Sequence, residues 1–238
     1  MLKKFLLTAL AVAIVGVFGN PSDASLVLLI DDHSTSGFDV IVIDNQPAGS
    51  TSSGGSWTST IADSNMTLGG VVFNGAVPNF EINVSTGVSK PLVHNNQIDL
   101  NSVVASFASN GGAVSMIVLD TDFVDNGHGF RTQIGGTTNG EVVAASWVSP
   151  NNGDSEPDFL GAGPVSESPW FTDTPFSWSE DGNATHNTVF GMAASAYVHH
   201  ENAGMTSFDL NFQQIPEPTT VLIWSMLAGV GLVVRRRR

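Results

Sequence analysis

Phe208-Asp209-Leu210-Asn211-Phe212 sets three large apolar side chains against two polar ones with a period of two residues. Successive side chains of an extended chain point to opposite faces, so the segment predicts a strand with one buried and one wet face. The same period recurs upstream. Phe80, Ile82 and Val84 alternate with Glu81 and Asn83, and Val114, Met116 and Val118 with Ala113, Ser115, Ile117 and Leu119. Between Phe38 and Asp44 both faces are apolar, Phe38, Val40 and Val42 on one and Ile41 and Ile43 on the other, as in a strand covered on both sides.

Residues 25–30, 67–73, 98–107, 141–148 and 189–198 are further strand candidates. Turn signals separate the strands at Gly54-Gly55, Asn74-Gly75, Asn110-Gly111-Gly112, Gly135-Gly136, Asn139-Gly140 and Asp181-Gly182. Roughly ten short strands, with no amphipathic helix and no repeat of fixed period, predict an all-β fold. The expected form is a single antiparallel β-sandwich, jelly-roll-like. Residues 44–57, rich in Ser and Gly, and 151–181, rich in Pro, Asp and Glu, are expected to be irregular.

Both ends have another character. Lys3 and Lys4 precede an apolar run from Phe5 to Phe18, and Ser22 and Ala24 supply the small-x-small pattern of a signal-peptidase site. Residues 1–24 therefore read as a secretory signal peptide cleaved after Ala24, with signal peptidase as a processing partner. At the other end Pro216-Glu217-Pro218 is followed by an apolar stretch over 219–234 and then Arg235, Arg236, Arg237 and Arg238. A helix of that stretch spans about 24 Å, short of the roughly 30 Å hydrocarbon core. The terminal arginines belong on the cytoplasmic side.

A Pro-Glu-Pro triplet, a short apolar helix and an arginine cluster, in that order over residues 215–238, resemble the PEP-CTERM sorting signal. The resemblance implies an exosortase as partner and cleavage near Pro216-Glu217-Pro218. It also implies a transient stay in the inner membrane through the C-terminal transmembrane sorting helix. The destination would be the cell surface or extracellular matrix of a Gram-negative bacterium that makes exopolysaccharide. Residues 25–214 are then the exported β-sandwich ectodomain.

Between the two signals lie two basic residues, Lys90 and Arg131, against twenty acidic ones, a net charge of −18. Such a surface excludes nucleic acid, whose binding depends on Lys and Arg neutralising phosphates. Divalent cations, cationic polymers and neutral glycans remain as partners. The absence of cysteine removes both a disulfide framework and a thiol nucleophile.

Several clusters carry possible chemistry. Asp120, Asp122 and Asp125 sit in Asp120-Thr121-Asp122-Phe123-Val124-Asp125-Asn126-Gly127, and alternating carboxylates suit calcium, the one cofactor these residues suggest. The EF-hand pattern is not met at Val124, and a solvated turn ending a strand is the competing reading. Asp154, Glu156 and Asp158 form a second acidic group. His199-His200-Glu201 lacks the second histidine of a zincin, since Gly204 stands there, and on a strand its histidines would face opposite sides. No Gly-x-Ser-x-Gly elbow occurs. Trp170 and Trp178 offer rings on which a sugar could stack, or else they pin their loop to the sandwich. The expected function is a non-enzymatic surface or matrix protein associated with exopolysaccharide and biofilm. The other class is a carbohydrate-binding module or carbohydrate-active enzyme carrying the same tail.

Overall fold

The computed structural model describes residues 26–215 apart from 66, 94, 95, 108–110, 128, 162, 173 and 174, and only the backbone of 84 and 160. The signal peptide with Ala24 and the tail from Pro216 to Arg238 lie outside the described residues. Among the described residues no helix is long and apolar enough to cross a membrane.

The chain forms β1 (Val27–Asp31), β2 (Val40–Ile43), β3 (Gly70–Val77), β4 (Phe80–Val88), β5 (Gln97–Ser106) and β6 (Gly112–Val124). It continues through β7 (Gly129–Thr138), β8 (Glu141–Ser149), a short helix α1 (Glu156–Leu160), β9 (Ser166–Glu167), β10 (Phe176–Asn183), β11 (Val189–His200) and β12 (Gly204–Ile215). The first sheet has the order β2-β1-β6-β11-β8-β9 and the second β10-β7-β12-β5-β4-β3. From β5 onward the long strands cross repeatedly between sheets, so β11 lies between β6 and β8 while β12 lies between β7 and β5. That interleaving is the double Greek key of a jelly roll.

The alternation read from the sequence sorts residues as expected. Phe208, Leu210, Phe212, Phe80, Ile82, Val114, Met116 and Val118 are all buried between the sheets. Phe130 stacks on Phe212 with ring centroids 5.5 Å apart and meets Phe190 edge-on at 5.9 Å. The first sheet is covered on its outer side as well. There Val27, Leu29, Leu119 and Ala193 are buried beneath Phe38, Trp57, Trp147 and Phe159. This explains why β2 is apolar on both faces.

Asp154 ties this cover down. Its carboxylate accepts the hydroxyls of Ser52 (2.6 Å) and Ser56 (2.5 Å), and its carbonyl accepts Trp57 Nε1–H at 2.5 Å. Residues 44–57 are irregular as expected, whereas 151–181 holds α1, β9 and most of β10, and Asp154 fastens the two stretches to each other.

Four expectations are corrected. Asn74-Gly75 is no turn but lies within β3, where the register shifts against β4 between Phe73 and Gly75. Gly135-Gly136 is no turn but the middle of β7, where a Cβ on Gly136 would stand 2.0 Å from the Ser207 carbonyl of β12. Asp181-Gly182 belongs to β10, an edge strand whose mostly exposed residues hide the apolar period. Asp120 to Val124 continues β6 instead of forming a solvated turn, with a register shift against β11 between Phe190 and Met192 and Asp122 at φ 63°.

Asp44, just after β2, is a buried exception. One carboxylate oxygen accepts Gly69 N–H at 2.7 Å, and the other, Oδ1, is buried without a hydrogen-bond partner. Burial raises its pKa from 3.8 to about 6; the Gly69 N–H offsets part of this, and the charges of Asp63 and Asp120 add to it. The folded chain therefore holds this proton more tightly than the unfolded chain does. The associated stability is full below pH 4 and is lost as pH rises through 6. Asp44→Asn is expected to remove that fall. Its thermal midpoint should match the parent at pH 4 and exceed it at pH 7, by roughly 1–2 kcal/mol of stability, as circular-dichroism melts would show.

Candidate functional site

On the outer face of the first sheet, Tyr197 of β11 stands opposite Ser115 of β6 and Val143 of β8, and Ser115 stands opposite Asp31 of β1. Small neighbours on this line leave the Tyr197 ring room to be met from both sides. From one side comes Trp170. The segment after β9 is held on the edge of β8 by paired bonds between Val142 and Phe171, 3.0 and 2.8 Å long. Trp170, just before that bridge, sets its ring edge-on against Tyr197 at 5.6 Å and remains 54% exposed. From the other side comes His33, 5.7 Å from Tyr197, in the left-handed region at φ 58°. Its Nε2 lies 2.9 Å from Ser115 Oγ and its Nδ1 3.3 Å from Asp31.

The result is a row of three rings, His33–Tyr197–Trp170, running across the strands. Beyond it on one side lies a polar pair, His199 Nδ1 and Glu141 Oε2 at 3.2 Å. On the other side the face continues over Ser195 and Ala145 to an apolar cleft of about 50 Å³ among Phe38, Trp57, Trp147 and Phe159, with Glu156 on its wall. Tyr197 and Ala193 at the two ends of this strip are four residues apart on β11, about 13 Å. Burial and the Glu141 charge raise the Tyr197 pKa, so its hydroxyl stays protonated at neutral pH. Rings with apolar faces beside hydroxyl, imidazole and carboxylate groups can meet both sides of a sugar: its C–H face by stacking, its hydroxyls by hydrogen bonds.

The two predicted tryptophans are not brought together. Trp178, on β10 of the second sheet, is half-buried and packs against the core between the sheets, which is the pinning role. Trp170 is the exposed one. His33 and Tyr197 were not singled out from the sequence, because their partnership depends on strands far apart in the chain.

The calcium candidates are likewise dispersed. Asp120 is fully buried and accepts Lys90 Nζ at 2.8 Å and Ser89 Oγ at 2.6 Å. Asp122 exchanges two bonds with Asn152, from its own N–H (2.6 Å) and to its carboxylate (2.7 Å). Asp125 accepts Gly127 N–H at 2.8 Å. Among the described residues the acidic group whose oxygens lie within 4.8 Å of one another is instead Asp31, Asp32 and Asp39. Each accepts a backbone N–H there, from His33, Ser34 and Asp32 respectively. Burial lifts Asp32 but donors from Ser34 and Asn79 outweigh it and hold the pKa below the ordinary value, whereas burial and the Asp32 charge raise Asp39. In the second predicted cluster Asp154 serves the cover, and Asp158 accepts Ser155 N–H at the start of α1 (3.1 Å). His200 is buried between Ser106 and Thr206, 2.8 Å from each, and His199 is half-exposed, the opposed pair expected of a strand.

No protein-family model and no curated protein matches the chain. Among solved structures it is similar to the enzymatically active domain of tailspike protein 4 of bacteriophage CBA120, with 12% identity and a TM-score of 0.37. That likeness covers 84% of this chain and 20% of the tailspike, so the chain spans about a fifth of that protein. It is also similar to the N-terminal cellulose-binding domain of β-1,4-glucanase C from Cellulomonas fimi, with 15% identity, a TM-score of 0.36, and 65% and 93% of the two chains covered. A xylan-binding domain from Paenibacillus barcinonensis gives 9% identity and a TM-score of 0.30, over 63% and 88% of the two chains.

The buried Lys90–Asp120 pair yields a test of its structural role. Lys90→Met keeps an apolar stem near Phe123, over which the ammonium lies at 4.2 Å, but leaves Asp120 without a counter-charge. A loss of about 3–5 kcal/mol at pH 7 is expected in denaturant titration. Burial already raises the Asp120 pKa, so the folded variant binds its proton the more tightly. The deficit should therefore shrink on acidification, and Asp120→Asn added to Lys90→Met should recover much of it.

Proposed function

We propose that this protein is a non-enzymatic, surface-delivered β-sandwich that binds polysaccharide through the His33–Tyr197–Trp170 face. The observation that carries the reading is Trp170: a tryptophan 54% exposed on a sheet face, yet fixed edge-on against Tyr197. A large ring held in water by its neighbours loses little freedom when a ligand stacks on it. Charge narrows the ligand. Lys90 is engaged with Asp120, and Arg131 is forked onto Asp181 at 2.6 and 2.9 Å, so neither of these cations is left for an anionic polymer. A neutral or amine-bearing glycan fits this surface.

Delivery is part of the same proposal, with residues 215–238 acting as the exosortase signal. Comparison of the C-terminal mass in exosortase-positive and exosortase-deficient cells tests that part, and an intact arginine tail in both would overturn it.

For the glycan site, the purified protein is run in native gels containing hydroxyethylcellulose, xylan or galactan, and titrated with the matching hexasaccharides. Trp170→Ala is expected to weaken binding about tenfold or more, equivalent to about 1.4 kcal/mol, with the thermal midpoint almost unchanged. Unaltered affinity in the variant, or no retardation of the parent by any polymer, would overturn the reading.

A further inference from the structure

The outer face of the second sheet carries a hollow of a different kind. An open depression of about 640 Å³ lies over β10, β7 and β12, walled by Gln133, Ser177, Ser179, Asp209 and Asn211. Its floor is Gly135, where an added Cβ would find no atom nearer than the Phe176 carbonyl at 3.7 Å. A side chain would fit there without strain, and its absence is what opens the hollow.

Strand register sets the walls in two parallel rows. Ser177, Gly135, Asp209 and Asn101 stand opposite one another in turn, and so do Ser179, Gln133, Asn211 and Asp99. Each row crosses four strands, about 14 Å at the usual strand spacing. Amides, hydroxyls and carboxylates therefore recur across the width at strand intervals, with Ile134 and Trp178 contributing apolar surface to the same lining. Several are already oriented: Asn211 Nδ2 donates to Asp99, and Gln97 Nε2 donates to the same carboxylate at 2.9 Å. Asp209 lines the hollow with its side chain exposed; burial raises its pKa, with Asp99 adding to the rise and Asn101 offsetting part. Rows of this chemistry match the hydroxyls of a neutral sugar chain, which can give and receive a hydrogen bond at each.

The two outer faces of a sandwich point in opposite directions, with a core layer of about 10 Å between the sheets. One short saccharide cannot reach from Trp170 to Gly135. We infer that the Gly135 hollow is a second polysaccharide site, and that one molecule of this protein holds a chain on each face and so cross-links the polymer. The inference rests on the glycan reading of the Trp170 face.

Two groove variants test it: Gly135→Val, which plugs the floor, and Gln133→Ala with Asn211→Ala, which strips one row. They are compared with Trp170→Ala by titration with cello-, xylo- and galactohexaose, and by light scattering of dilute hydroxyethylcellulose, xylan and galactan. The expected stoichiometry is two hexasaccharides per chain for the parent and one for either single-face variant. Particle growth in the polymer should occur with the parent alone. Stoichiometry per chain distinguishes this from two copies pairing with one site each. Groove variants that keep the parent's stoichiometry and scattering would overturn the second site, as would a single parental site lost in Trp170→Ala. A parent that binds none of the polymers would overturn the glycan reading itself, and this inference with it.

Discussion

A chain without cysteine must hold two sheets together through what lies between them, and here every long strand contributes alternate residues to that layer. Phe80, Phe123, Phe130, Phe190, Phe208 and Phe212 are fully buried, and the aromatic contacts among Phe130, Phe190 and Phe212 span both sheets. Because β5 to β12 cross from sheet to sheet, no strand can leave this layer without stripping its neighbours on both sides. The core therefore dictates which residues are left to face outward. What remains for function is the outward half of each strand and the segments between strands, where His33 and Trp170 lie.

The two outward halves are treated differently. On the first sheet the apolar residues Leu29, Leu119 and Ala193 are covered by the 44–63 loop and α1, pinned by Asp154. The cover ends short of Tyr197, and it is at this edge that the ring row stands. On the second sheet the outward residues at the centre of β7 and β12 are polar, and Gln133, Asp209 and Asn211 face outward there. Buried charge obeys the same logic. Asp120 is held inside by Lys90, which donates both to the carboxylate and to the Thr121 carbonyl, together with the Ser89 hydroxyl and the Thr121 N–H.

Much of this was legible in the sequence wherever a strand has one wet face. The period-two segments around Phe80, Val114 and Phe208 are strands in the structure, and the doubly apolar 38–44 segment runs into β2, which is covered on both sides. The reading failed where glycine or charge masked the period. Gly136 is glycine because β12 passes too close for a Cβ, a reason that lies seventy residues away and is invisible locally. β10 is an edge strand, so Ser177, Ser179 and Glu180 could remain polar. The acidic run from Asp120 looked like a cation loop because its partners, Lys90 and Asn152, are thirty residues off on either side. Of the site, Trp170 could be named as a candidate, but Tyr197 and His33 join it only through the register of β1, β6 and β11.

Charge is the last constraint, and it acts on the whole surface. With −18 over residues 25–215 and both cations of that stretch tied to carboxylates, an anionic polymer would meet repulsion from every side. Ordinary ionic strength screens that repulsion over about 8 Å, which is shorter than the strip on either face. Binding would then depend on close contact at rings and amide rows, and not on long-range attraction. On the proposed reading, discrimination would fall at contact: an acidic polysaccharide would meet uncompensated carboxylates there, and a neutral or amine-bearing one would not.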